Sequence, residues 1–154
     1  IGLEYELQSQ STAKFNAAPG DYASDSRDYF LEVNNITKNT LKSQHTLKIG
    51  AEYKPTSSVA LRLGYNLITS PFKSEAYRII TPTGPYTETD YTNWKAAHRI
   101  TAGIGYRYKT GYFDLAYQML TQKGDFYAFY ASGLKPTTLK QNRSQLMGTI
   151  GFKF

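Results

Sequence analysis

From His98 to Met119 apolar residues fall on alternate positions, and no other feature of this chain restricts its fold as tightly. Ile100, Ala102, Ile104, Tyr106 and Tyr108 alternate with Arg99, Thr101, Gly103, Gly105 and Arg107. After Lys109, Thr110 and Gly111 the alternation resumes, with Phe113, Leu115, Tyr117 and Met119 set against Asp114, Ala116 and Gln118. Period two places successive side chains on opposite faces of a sheet. The stretch 98–120 therefore predicts a hairpin with one aliphatic and aromatic face and one face of charges, amides and glycine. A half-buried soluble strand carries the same pattern, so one hairpin does not identify the solvent.

The pattern recurs. The segment 45–67, HTLKIGAEYKPTSSVALRLGYNL, follows the same plan when His45 is aligned with His98: alternating apolar residues, a central Gly50 or Gly103, then tyrosine and a basic residue. A looser copy closes the chain, with Leu146, Gly148, Ile150, Phe152 and Phe154 on one face. At the start, Ile1, Leu3, Tyr5 and Leu7 alternate with Gly2, Glu4, Glu6 and Gln8. Repeated strand plans of this kind build sheets and barrels. Six strands are expected, over 1–8, 44–53, 59–68, the two arms of 98–120, and 144–154.

The connections between them alternate long and short. Long polar stretches at 9–43, 69–97 and 122–141 carry the turn signals Pro19-Gly20-Asp21, Ser70-Pro71, Pro82 and Gly84-Pro85, while 54–58 and 109–111 are brief. In the first long stretch Tyr29, Leu31 and Val33 form one strand-like patch, and 31–43 is a candidate extension of the second strand. Sorting of long and short connections to opposite ends is the asymmetry of an outer-membrane barrel. The expected fold is all-β, an up-and-down antiparallel transmembrane β-barrel. Its strands need only about 9–11 residues each, so their hydrophobicity hides in alternation. Tyr53, Tyr65, Tyr106, Tyr108, Tyr117 and Phe152 fall toward the ends of the apolar faces, where aromatic girdles sit. Six strands fall short of the roughly eight with which such barrels begin. The chain, 1–154, is thus expected to be one segment, the C-terminal portion of a larger barrel, with signal peptide absent.

The phrases HTLKIGAEYKPTSSVALRLGYN, ITAGIGYRYKTGYFDLAYQ, QKGDFYAFY and GTIGFKF resemble the C-terminal part of outer-membrane transport proteins of the FadL/TodX family. The nearest resemblance is to its Bacteroidetes branch, whose members are often labelled hemin receptors. It covers roughly 41–154. It implies a barrel of about fourteen strands that passes hydrophobic molecules, typically long-chain fatty acids, across the outer membrane of a Gram-negative bacterium. It also implies an N-terminal hatch, whose motif is not expected within these residues. The terminal Phe154 is similar to the signal read by the barrel-assembly machinery.

The polar strand faces would line the lumen: Glu4, Glu6, Lys48, Glu52, Arg62, Asn66, Arg99, Arg107, Asp114, Gln118 and Lys153. Lys48, Arg62, Asn66, Arg99, Arg107 and Gln118 are the candidate ligand contacts, because guanidinium and ammonium groups hold a carboxylate by charge-assisted hydrogen bonds. The competing reading is that these charges pair across neighbouring strands, Arg107 facing Asp114 over the short turn. Loop aromatics Phe72, Tyr77, Phe126, Tyr127, Phe129 and Tyr130 are candidates for a surface capture site or for a packed lid. Imidazole is the common haem ligand, but His45 and His98 fall on the apolar parity at the loop ends of their strands, a rim position. No cofactor or metal site is expected. Ser70 and Ser144 lack a marked base, which speaks against hydrolase chemistry. The net charge of +6 is dispersed, without a basic motif for nucleic acid. The partners expected are the lipid bilayer and a hydrophobic ligand. The alternatives are a non-transporting surface anchor or docking platform, and a soluble lipocalin-like barrel.

Overall fold

All six expected strands are present in the computed structural model, which describes residues 1–16, 24–74, 76, 91–128 and 135–152, with backbone alone at 24–26. They are β1 (Gly2–Gln8), β2 (Gln44–Tyr53), β3 (Val59–Ile68), β4 (Tyr91–Tyr108), β5 (Gly111–Tyr127) and β6 (Thr137–Phe152). They form one antiparallel sheet in sequence order, a meander, left open because β1 and β6 are each paired on one side among the described residues. Pro19, Gly20, Asp21, Tyr77, Pro82, Gly84, Pro85, Phe129, Tyr130, Lys153 and Phe154 lie outside the described residues.

The register aligns the two faces across all strands. One apolar row reads Leu3, Ile49, Tyr65, Ile100, Met119; the next reads Ala51, Leu63, Ala102, Tyr117, Leu146. Among the described residues nothing covers this face. Among the described residues the buried hydrophobics are Ala60, Ala76 and Ala97, whereas Leu63 is 67% and Leu146 68% exposed. The sheet is a single layer, and its apolar side is open to whatever surrounds it.

The apolar region is slanted relative to the hydrogen-bonded rows. The row beginning at Leu7 on β1 passes His45 and Thr69 and, beyond a bulge in β4, ends at Lys123 and Lys140. On β6 this face does not become apolar until Leu146, six positions farther along (140 to 146). The other edge moves the same way. Tyr53 on β2 shares a row with Gly148, and β6 stays apolar four positions farther (148 to 152), to Phe152.

Two expectations are corrected. The strand-like patch at Tyr29, Leu31 and Val33 lies in a helix, α1 (Ser24–Thr40), so 31–43 does not extend the second strand. Its half-buried positions Phe30, Val33, Thr37 and Thr40 recur at helical spacing, while Tyr29 and Leu31 are exposed. The helix is tied down along its length and at its C-terminus. Asn34 exchanges two hydrogen bonds with the backbone of Phe15 (2.7 and 2.9 Å). At its C-terminus, Lys73 donates from its backbone N–H to Thr40 O and from Nζ to Lys38 O, both at 2.9 Å. These bonds satisfy carbonyls that a helix end leaves without partners. No described helix is long and apolar enough to cross a membrane.

The second correction is strand length. β4 begins at Tyr91 rather than His98, β5 continues to Tyr127 and β6 begins at Thr137. The extensions escape the alternation signal because both faces turn polar there. The bulge between Trp94 and Ala97 also breaks the period. The longer connections shrink accordingly, and 128–136 becomes a modest one.

The short-turn end is packed tightly around glycine. A methyl group on Gly111 would collide with the carbonyl oxygen of Gly151 and the ring of Tyr108. Backbone yields less readily than a side chain, so Gly111→Ala should destabilise the sheet by about 1–3 kcal/mol. Gly148, with nothing within 4 Å of an added Cβ, is the control. Equal denaturant midpoints for Gly111→Ala and Gly148→Ala would overturn this packing.

Candidate functional site

The polar face sorts its charges by row. One row crosses the sheet as Glu4, Lys48, Asn66, Arg99, Leu120 and Arg143. Three of the expected ligand contacts, Lys48, Asn66 and Arg99, are thereby neighbours on adjacent strands, about 4.8 Å apart from one strand to the next. Lys48 is held by Glu4 at 2.6 Å. Arg99 is different. Its Nε is enclosed without a hydrogen-bond partner, and no ion pair reaches its guanidinium among the described residues. An enclosed, unsatisfied donor on a cation is costly unless something accepts from it. Arg143 joins the row from β6. Sequence reading missed it, although alternation back from Gln145 places it on the same parity.

The next row is nearly bare: Gly2, Gly50, Gly64, Thr101, Gln118 and Gln145. Thr101 leans over Gly64, where a Cβ would lie 2.5 Å from its Oγ1. Gln118 donates to Gln145 at 2.6 Å, so this candidate is engaged within the sheet. Beside Lys48 the missing side chains leave a shallow groove of about 570 Å³, with Gly50 and Gly64 in its floor and Lys48, Asn66 and Arg62 around it.

Arg62 belongs to a different arrangement. Its Nε donates to Glu52 and its Nη1 to Asp114, each at 2.8 Å. Lys54 adds a contact of 3.1 Å to Glu52. The bond to Asp114 spans β4 from β3 to β5, and Gly105 makes room for it, since a Cβ there would lie 2.5 Å from Asp114 Oδ1. The expected pairing of Arg107 with Asp114 is thus corrected. The register sets Arg107 opposite Tyr112 and Asp114 opposite Gly105, and the carboxylate reaches Arg62 instead. Charges pairing across strands describe Arg62 and Lys48 well and leave Arg99 unexplained.

At the upper margin of the apolar face the sequence repeat has a structural counterpart. Tyr5 shares a hydrogen bond with Nδ1 of His45 and Tyr65 with Nδ1 of His98, both at 2.7 Å, and Tyr117 donates to Oγ of Ser144 at 3.0 Å. His45, His98 and Ser144 head the three strand copies, each tied diagonally to a tyrosine of the preceding strand. Both histidines are thus engaged by tyrosines at the margin of the apolar face, and Ser144 lies on that same face. Ser70 donates to the carbonyl of Trp94 at 2.7 Å.

The capture residues divide. Phe72 and Tyr127 line one pocket of about 240 Å³. Phe72 also lines a neighbouring one of about 230 Å³, beside Ile36 of α1, Ala76 and Tyr91. Tyr91 and Tyr127 stack at 4.7 Å. Phe126, paired between Thr92 and Thr137, has the opposite parity from Tyr127. No family model matches the chain, and neither a curated protein nor a solved structure matches it.

Proposed function

We propose that this chain is a wall segment of an outer-membrane β-barrel that carries hydrophobic small molecules bearing a carboxylate, long-chain fatty acids among them, across the membrane of a Gram-negative bacterium. The observation that carries this reading is the slanted, uncovered apolar face. In a barrel tilted by about 40°, with strands about 4.8 Å apart, a line level with the membrane shifts by roughly 4 Å along each successive strand. Across five strand steps that is about 20 Å, or about six residues at ~3.3 Å each. The shift from Leu7 to Leu146 is of that size, and both edges of the band move together. From His98 to Tyr108 the band on β4 is about 25 Å tall at the same tilt, the height of a lipid-facing girdle. A soluble sheet packed on another layer has no reason to offset its apolar edge from its own register.

The polar face is then the lumen, and the open edges of β1 and β6 are closed by further strands, because lipid tolerates no unpaired strand edge. The resemblance to the FadL/TodX family supports the choice of cargo. The enclosed, partnerless Nε of Arg99, beside Asn66 in the row that also holds Lys48, supports recognition of its carboxylate. No reacting group is assigned, and the protein is read as a transporter rather than an enzyme. The test is flux and binding in vesicles holding the full-length protein, comparing a long-chain fatty acid with its methyl ester. The free acid should bind at least about tenfold more tightly, the scale of one charged hydrogen bond, and cross the membrane. Equal binding would overturn the carboxylate contact. Flux of neither compound would overturn transport and favour a surface anchor.

A further inference from the structure

Just past the apolar band, on the same face, hydrocarbon gives way to lysine. Lys123 on β5 and Lys140 on β6 stand directly opposite each other, and both are exposed. Facing residues hold their Cβ atoms about 5 Å apart, where like charges repel. The nearby acid on this face, Asp125, is held by Lys95 at 2.9 Å. No ion pair reaches Lys123 or Lys140 among the described residues. Alongside lies the pocket of about 240 Å³, lined by Lys42, Lys73 and Lys95 with Phe72 and Tyr127. Among the described residues, three of these five lysines line the pocket with a single aspartate, Asp125. On the polar face the contrast is plain, since Lys48 there has its own carboxylate.

We propose that this lysine arc docks the phosphate of lipid headgroups in the leaflet around the long-connection end of the barrel. The site rests on the barrel reading. In that reading Thr121 and Asn142 mark the edge of the hydrocarbon, so the next residues on their face, Lys123 and Lys140, stand at headgroup depth. A phosphate between two opposed ammonium groups turns their repulsion into two charge-assisted hydrogen bonds. Lysine suits that depth, because its stem covers apolar surface while its head stays wet. Phe72 and Tyr127 add apolar surface beside the charge, matching a ligand that is anionic at its head and hydrocarbon below. A free anion in water would supply the charge without using the adjoining hydrocarbon face.

The full-length protein is folded into phosphatidylcholine vesicles with and without phosphatidic acid, as wild type, as Lys123→Gln with Lys140→Gln, and as Lys123→Arg with Lys140→Arg. Protease protection reports insertion, and spin-labelled phosphatidic acid reports headgroup affinity. Each lysine near an anionic surface contributes about fivefold in affinity. The double glutamine variant should therefore bind the labelled lipid roughly 30-fold more weakly, while the arginine variant retains binding. In pure phosphatidylcholine the glutamine variant should be at least as stable as wild type, because the repulsion is gone. Three outcomes overturn the site: equal affinity for wild type and the glutamine variant, inorganic phosphate competing as strongly as the lipid, or insertion with no preference for phosphatidic acid. The last leaves the barrel reading standing. Failure to insert into either vesicle overturns the barrel reading and the site together.

Discussion

Leu63→Arg is expected to block assembly in a bilayer, at a cost of about 2–4 kcal/mol near the middle of the membrane. Leu63 lies centrally in the apolar band, two-thirds exposed, between Ala51 and Ala102 on the neighbouring strands. A guanidinium there faces hydrocarbon with no carboxylate in its row. The comparison is Gln145→Arg, on the opposite face and in the row of Gly64 and Thr101. It exchanges one hydrogen bond with Gln118 for a solvated cation and should cost no more than about 1 kcal/mol. Folding yield into vesicles and the denaturant midpoint of the inserted protein measure both. Equal losses would sink the assignment of faces. Full solubility of both variants without detergent would point to the soluble barrel. From alternation alone Arg62→Leu looks like an equally mild control, but the structure removes it from that role. Arg62 holds Glu52 and Asp114 together, so leucine would leave two carboxylates without their shared cation.

Arg99→Gln should weaken binding of a long-chain carboxylate by about 10- to 100-fold, the range of a hydrogen bond to a charged group. It should leave binding of the corresponding methyl ester unchanged. Arg99 is the polar-face cation whose Nε is enclosed and unsatisfied, whereas Arg62 is committed to two acids. Arg107→Gln, near the short turn and opposite Tyr112, is the matched control and should change neither ligand. Arg99→Lys separates charge from geometry, since lysine keeps the charge but loses the planar fork that grips both oxygens of a carboxylate. An Arg99→Gln protein that binds the acid as wild type does would remove this residue from the site.

Much of the architecture is legible in the chain itself. Strict alternation over 44–68 and 98–120, repeated with His45, His98 and Ser144 in equivalent places, determines six strands, their two faces and the sorting of connections, because a sheet reads sequence with period two. Even the place of both histidines on the apolar face follows from parity. Helix α1 was open to the same reading at period 3.6 through Phe30, Val33 and Thr37, but Tyr29, Leu31 and Val33 imitate a strand over so short a stretch. The partners of individual charges are another matter. Arg62 and Asp114 are 52 residues apart, and their meeting depends on two registers and on a glycine at 105 that leaves space above β4. Lys123 and Lys140 confront each other only once β5 and β6 are paired. The slant of the apolar band is likewise invisible strand by strand, since each strand carries its own apolar stretch and only the register compares them. Local periodicity thus determined which side of each strand is apolar and which is polar. The tertiary structure decided which charges neutralise one another and which, like Arg99, Lys123 and Lys140, have no ion pair among the described residues. Side-chain pairing across strands depends on register, and register is a property of the assembled sheet.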